Sequence, residues 1–355
     1  MSIKGNLVSF LIIARNASGT LGTLLKNLEA QTYPSKQIEI ILVDSASQDD
    51  TKQIMMQFQA AHRNEFYDIL VLDNPKMILP CGWNVALREA HGDVILRVDA
   101  HSTLPPDFIA CNMANFANGE KIVGGPRTSV VAQDNAWQRT LLTAEESLFG
   151  SGIAAYRHCE DTRYVSTLAH GAYAREVFEN VGGYDERLAR TEDNEMHYRM
   201  KQAGYRLFFD SKIHSYHHPR NRFSKMLKQK YLNGYWIGLT LRICPRCFSP
   251  YHFVPLLFVL AILGGLVLGL CGIWWPLAAL GIAYGAVDLL LTVASVLRKP
   301  FSAYYFCLPV LFLLLHLAYG WGTLTGIVKI PFWYPKNKQC DAIEQVKDAM
   351  KRHHE

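Results

Sequence analysis

Nothing in this chain of 355 residues supplies a disulfide framework, a surface of one charge sign or, before residue 250, an apolar run of membrane length. Its eight cysteines are scattered without framework spacing, which suits a reducing compartment. Cys244 and Cys247 form a single C-x-x-C with no second pair behind it. A structural zinc site wants four ligands, so these read as incidental cysteines beside the apolar region. The net charge of +5, from 36 basic and 31 acidic residues, is too small to make nucleic acid a favoured partner. No cleavable secretory signal is expected, because Met1-Ser2-Ile3-Lys4-Gly5 runs straight into a strand pattern. Charge is scarcest over residues 253–297, where Asp288 stands alone.

What is present divides the chain unevenly. Hydrophobic residues make up 50% of the sequence, but the charges lie mostly before residue 250. Two stretches, 253–272 and 274–297, reach the length of about 20 residues that crosses a bilayer. Trp274-Trp275-Pro276 between them predicts a hairpin with interfacial aromatics, and Arg298-Lys299 brings the chain back to the positive side. A third apolar stretch, 304–328, contains Pro309, His316 and several glycines. If it spans, the tail carrying Lys336, Lys338, Lys347, Lys351 and Arg352 emerges on the far side, against the positive-inside tendency. A re-entrant or interfacial course is the alternative, and the sequence leaves both open. Asp288 inside the second span reads as functional by default, facing either the headgroup region or His316. Just before the spans, Arg220, Arg222, Lys225, Lys228, Lys230, Arg242 and Arg246 gather where anionic lipid would lie. Phe223, Leu227, Tyr231, Tyr235 and Leu239 recur every four residues, a helix lying on the membrane or packed on the domain.

The first part alternates apolar runs and helical spacings: strands at 8–13, 38–43, 67–72 and 94–98, with helices at 21–31, 49–58 and 83–90 between them. Strands apolar on both faces, alternating with helices, predict an α/β fold with a mostly parallel sheet. Such sheets bind ligands beyond the carboxyl ends of their strands, where Asn16, Asp44 and Asp99 fall. Asp99 and His101 stand i, i+2, which in a strand puts both side chains on one face, able to share an ion or ligand. Beyond residue 120 the pattern is turn-rich, at Gly124-Gly125-Pro126, Phe149-Gly150-Ser151-Gly152 and Gly182-Gly183-Tyr184-Asp185. Thr191-Glu192-Asp193 then opens a helix with acids in its first turn, as the helix dipole favours.

Six motifs in order carry a resemblance: residues 8–16, Gln31-Thr32-Tyr33-Pro34, residues 43–51, Arg97-Val98-Asp99-Ala100-His101, Gly182-Gly183-Tyr184-Asp185 and Thr191-Glu192-Asp193. Together they resemble a family 2 glycosyltransferase of the GT-A fold. Residues 149–152 and His316-Leu317-Ala318-Tyr319-Gly320 are similar to its membrane-bound, succinoglycan-biosynthesis (ExoA-like) subgroup. The resemblance implies a GT-A domain over 1–221, an amphipathic linker over 222–250, a membrane region over 251–330 and a basic cytoplasmic-type tail over 331–355.

It also implies roles. Ala14, Arg15, Asn16 and Asp44 would line the nucleotide pocket, and Asn84 would join the donor site. Asp99 and His101 would stand where the family has D-x-D and hold Mn2+ or Mg2+ against the donor diphosphate, with the imidazole tilting the choice towards Mn2+. His170-Gly171-Ala172 resembles the loop under the donor sugar. Asp193 would be the base of an inverting transfer, with Glu192 supporting it or contacting the acceptor. His214, His217 and His218 read as surface residues or as a further phosphate or metal contact. The implied partners are a nucleotide-sugar, UDP-linked by expectation, a lipid-linked (polyprenyl-type) glycan acceptor and membrane lipids. The expected setting is a multi-pass protein of the plasma membrane with its catalytic domain cytoplasmic, acting in bacterial exopolysaccharide or surface-glycan synthesis. Two departures stand out. Ala17 occupies a position that is acidic in many relatives. Gln229-Lys230-Tyr231-Leu232-Asn233 stands in place of the Q-x-x-R-W of processive synthases, which favours single addition.

Overall fold

A computed structural model of the chain describes residues 6–130, 135–147, 149–150, 161–217, 222–297, 299–333 and 339–352. Ser151, Gly152, His218, Arg220, Arg298, Lys336 and Lys338 of the sequence reading lie outside the described residues. The chain forms two compact units. The first comprises Met1–Thr128, Ala155–His218 and Pro335–Glu355, the second Ser129–Ala154 and Pro219–Tyr334.

In the first unit the predicted alternation is present. β1 (Val8–Ala14), α1 (Ser18–Glu29), β2 (Ile38–Asp44), α2 (Thr51–His62), β3 (Asp68–Asp73), α3 (Leu79–Glu89) and β4 (Val94–Asp99) follow one another. β1 and β2 are buried at every residue, as the unbroken Val/Ile/Leu runs require of strands covered on both faces. α3 begins four residues before its predicted start, because Pro80 is tolerated in a first helical turn.

The turn-rich half completes the sheet with strands of three or four residues, too short to show a period. After β5 (Ser102–Thr103) and α4 (Phe108–Ala117) come β6 (Ile122–Gly124) and β7 (Arg127–Ser129). In the second unit lies α5 (Ala136–Glu146), and the first unit resumes with β8 (Arg163–Val165), β9 (Gly171–Ala174), α6 (Arg175–Val181), α7 (Glu192–Gln202), β10 (Leu207–Phe209) and β11 (Ser215–His217). The eight-stranded order is β3-β2-β1-β4-β9-β6-β10-β8, beside a small sheet β5-β11-β7. β1 to β4 pair in parallel, and β9 runs antiparallel between β4 and β6. The order reverses between β1 and β4, which is where a doubly wound sheet opens its ligand crevice.

The second unit contains α5, α8 (Phe223–Thr240), α9 (Val254–Leu270), α10 (Trp275–Val296) and α11 (Leu308–Lys329). α9 and α10 join through a turn at Gly272, whose φ of +83° favours glycine. α8 and α11 meet through reciprocal glycines. A Cβ on Gly234 or Gly238 would collide with the Tyr319 or Thr323 carbonyl, and one on Gly322 or Gly326 with that of Tyr231 or Tyr235. This small-x-x-x-small contact lets two backbones approach closely, so α8 packs on a helix along one face.

The last helix, α12 (Gln339–Arg352), belongs to the first unit. Val346 and Met350 are fully buried, Arg175 Nη1 donates to the Met350 carbonyl at 3.0 Å, and Gly183 N donates to the Ile343 carbonyl at 3.1 Å.

Candidate active site

Strand register in the first unit assembles the predicted residues. Ala14 pairs with Asp44 and Ile13 with Asp99, so three strand ends lie level at one edge. The chain leaves β1 through Asn16 at φ +50° and β2 through Ala46 at φ +53°. These left-handed turns are clasped together. Asn16 N donates to Ser47 Oγ at 3.0 Å, Asn16 Oδ1 accepts from Gln48 N at 2.8 Å, and Ser18 N donates to Asp49 Oδ2 at 3.1 Å. Hydrogen bonds from Thr51 and Ser18 hold the Asp49 carboxyl well below the usual range. Arg15 stays exposed, its Nη2 3.5 Å from Met77 Sδ.

Asp44 is 3% exposed, and its Oδ2 accepts from Ser47 N at 3.2 Å. Among the described residues its Oδ1 meets no hydrogen-bond donor, and neither does Oδ1 of buried Asn74. Asn74 N donates to the Asp44 carbonyl at 2.7 Å, so these two acceptors belong to one loop pair. Unpaired buried acceptors are rare and costly, so a site that takes N–H or O–H donors from a ligand accounts for them.

Asp99 ends β4, and His101 lies in the following turn. The single strand face expected for the pair therefore stops at Asp99. His101 instead reaches an imidazole cluster, its ring centroid 4.7 Å from that of His217 on β11. Asp99 Oδ2 lies 3.4 Å from His170 Nε2 and 3.6 Å from Arg127 Nη1. His170 is fixed by Ser102 Oγ at 3.2 Å and Ser215 Oγ at 3.0 Å. Burial works against the Asp99 charge, but the hydrogen bond to His170 and the fields of His170, His101 and Arg127 hold its carboxyl well below the usual range. Burial pushes His170 down, and pushes His217 down to about 2. Both shifts favour the neutral imidazole, the form a ligand nitrogen needs. Among the described residues no set of three or more His, Cys, Asp or Glu forms a ready cage. The donor set of Asp99, His101 and the unpaired Nδ1 of His217 nevertheless fits a divalent ion that takes its remaining oxygens from a bound phosphate.

Thr191, at φ +70°, turns the chain into α7 so that Glu192 and Asp193 begin its first turn. Arg97 reaches this point from β4. It is two residues before Asp99 and so shares its strand face. Its Nη1 donates to Asp193 Oδ1 at 2.6 Å and to the Tyr184 hydroxyl. Its guanidinium lies 4.5 Å from the centroid of the Trp83 ring and 5.1 Å from that of Tyr184. Burial opposes the Arg97 charge, but Asp193 and the neighbouring tyrosines keep it firmly cationic. Glu192 is 6% exposed, and burial, with the adjacent Asp193 charge, pushes its carboxyl up to about 8. The Asp193 side chain keeps 33% exposure, so the pair divides into one enclosed acid and one oriented, accessible one.

Gly171 opens β9, one step beyond the Leu96–Ala172 pair, and a Cβ there would come 2.5 Å from the Tyr173 hydroxyl. Asn84 is engaged throughout: Nδ2 donates to the Tyr184 carbonyl at 2.9 Å and to Glu186 Oε1 at 3.2 Å, and Oδ1 accepts from Tyr184 N at 2.7 Å. Sequence reading missed Arg97, Arg127 and Asn74 as site residues. Only Arg97 carried a signal, its i−2 spacing from Asp99.

The chain resembles known proteins in sequence and in fold. Residues 9–182 match the family described as Glycosyl transferase family 2. The chain is 28% identical to the succinoglycan biosynthesis protein ExoA of Rhizobium meliloti (strain 1021), over 76% of this chain and 82% of that one. It is 23% identical to the dolichyl N-acetyl-alpha-D-glucosaminyl phosphate 3-beta-D-2,3-diacetamido-2,3-dideoxy-beta-D-glucuronosyltransferase of Methanococcus voltae, over 91% and 98%. Among solved structures it resembles the mannosyltransferase PcManGT from Pyrobaculum calidifontis, in complex with GDP-Man and Mn2+, with a TM-score of 0.55 and 20% identity over 89% of this chain and 86% of that one. At that identity the likeness establishes the fold.

Proposed function

Because the chain is a glycosyltransferase carrying a family 2 domain on the GT-A fold, we propose that it moves one sugar from a nucleoside-diphosphate donor, UDP-linked by preference, to a lipid-linked glycan acceptor with inversion at the anomeric carbon. The observation that carries this reading is the sheet edge that holds Asp44, with one carboxylate oxygen unpaired among the described residues, and the Asp99–His101–His170 cluster, and to which Arg97 ties Asp193 of α7.

In this reading the open acceptors of Asp44 and Asn74 take the donor N–H and O–H groups of the base and ribose, with Ala14, Arg15 and Asn16 as the pocket wall. Asp99 and His101, with His217 alongside, hold Mn2+ or Mg2+, whose charge offsets the negative charge that builds on the departing diphosphate. Arg127, 3.6 Å from Asp99, adds a fixed positive charge on the same side. Gly171 keeps the floor under the donor sugar free of a side chain. Asn84 braces the 184–186 turn that carries the Arg97 slot.

Asp193 takes the proton of the acceptor hydroxyl as that oxygen attacks the anomeric carbon opposite the leaving group. Arg97 fixes where its second oxygen points, and a protonated Glu192 avoids two adjacent carboxylate charges. An orientation held this firmly turns the encounter of donor and acceptor into a positioned one.

The acceptor class rests on the second unit. Among the described residues there, three helices are long and apolar enough to cross a membrane, and the protein is membrane-associated. A groove of about 520 Å3 between α8, α9 and α11, lined by Leu227, Tyr231, Val259, Leu263, Leu314 and Trp321, suits one isoprenoid chain. The dolichyl-linked substrate in the name of the Methanococcus relative and the succinoglycan role in the name of ExoA support an acceptor on lipid or growing polysaccharide. The basic residues flanking α8 support a multi-pass plasma-membrane protein whose catalytic unit faces the cytoplasm. The test is a donor screen in lipid nanodiscs with polyprenyl-linked acceptors, with and without Mn2+. Transfer from one nucleotide-sugar class that requires the cation supports the reading, and metal-independent transfer removes the role given to Asp99 and His101.

A further inference from the structure

Among the described residues three helices have the length and composition to cross a membrane: Pro250–Leu270, Trp275–Val296 and Ala303–Phe332. Three crossings would deliver the tail to the far face. The chain, however, leaves the first unit after His218 and rejoins it at Pro335. The rejoining segment is core material, with Val346 and Met350 fully buried and the Met350 carbonyl accepting from Arg175. A folded unit lies on one face of a bilayer, so the number of crossings between residues 219 and 334 is even.

We infer that α9 and α10 cross as a hairpin, whereas α11 does not cross and stays with α8 on the membrane face from which α9 enters, with the lipid headgroup boundary as its partner. Contacts inside the second unit identify α11 as the helix that does not cross. It runs parallel to α8 along the whole length of both. Met226 clusters with Leu311 and Leu315, Gly322 abuts the Tyr231 carbonyl, Gly326 abuts that of Tyr235, and Arg242 Nη1 donates to the Ile330 and Trp333 carbonyls at 2.7 and 2.9 Å. α8, with Lys225, Lys228 and Lys230, is not among the helices apolar enough to cross.

Depth is the second mark. A Cβ on Gly320 would strike the carbonyl of Pro255, in the first turn of α9. Gly320 is twelve residues from the start of α11, about 18 Å along its axis. A helix normal to the membrane would by then be past the middle of a core about 30 Å thick. Instead it is level with the point where α9 enters. The outer half of the hairpin closes on itself, with Gly265 against Leu277 and Gly269 against Trp274. An amphipathic pair in the interface needs an apolar face and a cationic rim, and α8 with α11 supplies both.

The experiment uses the full chain in bacterial cells. Alkaline phosphatase, active only outside, and green fluorescent protein, bright only inside, are each fused after Glu355, and an epitope is inserted after Gly272. The expected result is fluorescence without phosphatase activity at the C-terminus, together with an epitope reached from outside. Phosphatase activity at the C-terminus, or an epitope on the same side as the tail, overturns the inference. Because an insertion can disturb folding, nitroxide-labelled Trp321→Cys in nanodiscs, in a chain whose eight native cysteines are replaced by serine, gives a second reading. Interfacial depth is expected, and depth at the bilayer centre overturns it. Neither readout depends on sugar transfer, so this inference and the proposed reaction fail separately.

Discussion

Replacing Arg97 by methionine tests the link between the sheet and the acidic pair. In the native protein the guanidinium is buried, donates to Asp193 at 2.6 Å and lies within 5.1 Å of two aromatic centroids. Removing one partner of a buried ion pair costs about 3–5 kcal/mol. Asp193 keeps 33% exposure and can rehydrate, so the lower end applies or less. Each lost cation–π contact adds about 0.5–2 kcal/mol, which methionine partly offsets by filling the slot without a charge to desolvate. The net expectation is about 2–4 kcal/mol, a Tm lower by about 5–15 °C for a domain of this size. An unheld Asp193 carboxylate misplaced by about 1 Å would lower kcat about 100-fold with little change in the donor KM. Arg97→Lys, which keeps the charge without the planar fork, should fall between. The assay is thermal unfolding in detergent beside steady-state transfer. A lower Tm with unchanged kcat would refute the positioning role and leave Arg97 a structural residue.

Other expectations follow from the same geometry. Folded Glu192 keeps its proton up to about 8, whereas the unfolded chain releases it near the ordinary value of 4.5, so wild-type stability should fall relative to Glu192→Gln as pH rises through that window; Tm against pH for both proteins checks this, and a pH-independent difference would sink it. Asp99→Asn should raise the Mn2+ concentration for half-maximal turnover about tenfold or more, and His101→Ala should narrow the preference for Mn2+ over Mg2+, both read by metal titration. Met350→Ala, emptying a fully buried site on the last helix, should destabilise the first unit by about 2–5 kcal/mol in denaturant unfolding. An unchanged midpoint would show that α12 is not part of its core.

The parallel half of the sheet was legible because β1, β2 and β4 are long Val/Ile runs that end in chemistry-bearing residues. The acidic start of α7 was legible for a similar reason, since Glu192 and Asp193 follow a break in the pattern. The antiparallel half was not, because β6, β8 and β10 have three residues each and show no period. Arg97 escaped notice because its partner lies 96 residues away, a pairing that only the closed fold creates. His101 was placed on a strand that ends two residues earlier. The tail read as a charged appendage, since Lys347, Lys351 and Arg352 dominate it, although Val346, Ala349 and Met350 mark a helix face that packs inward. Where that face docks is a tertiary fact with no local signal.

The account turns on Asp193 as the group that accepts the proton from the incoming hydroxyl. Asp193→Asn keeps the size and one acceptor oxygen for Arg97 while removing the basicity. Single-turnover transfer with a matched nucleotide-sugar, alongside nucleotide binding by the same preparation, separates chemistry from assembly of the site. The prediction is a transfer rate lower by about 100-fold or more with nucleotide affinity retained, and wild-type product of inverted anomeric configuration. Undiminished transfer by Asp193→Asn, or a product that keeps the donor's configuration, would contradict it.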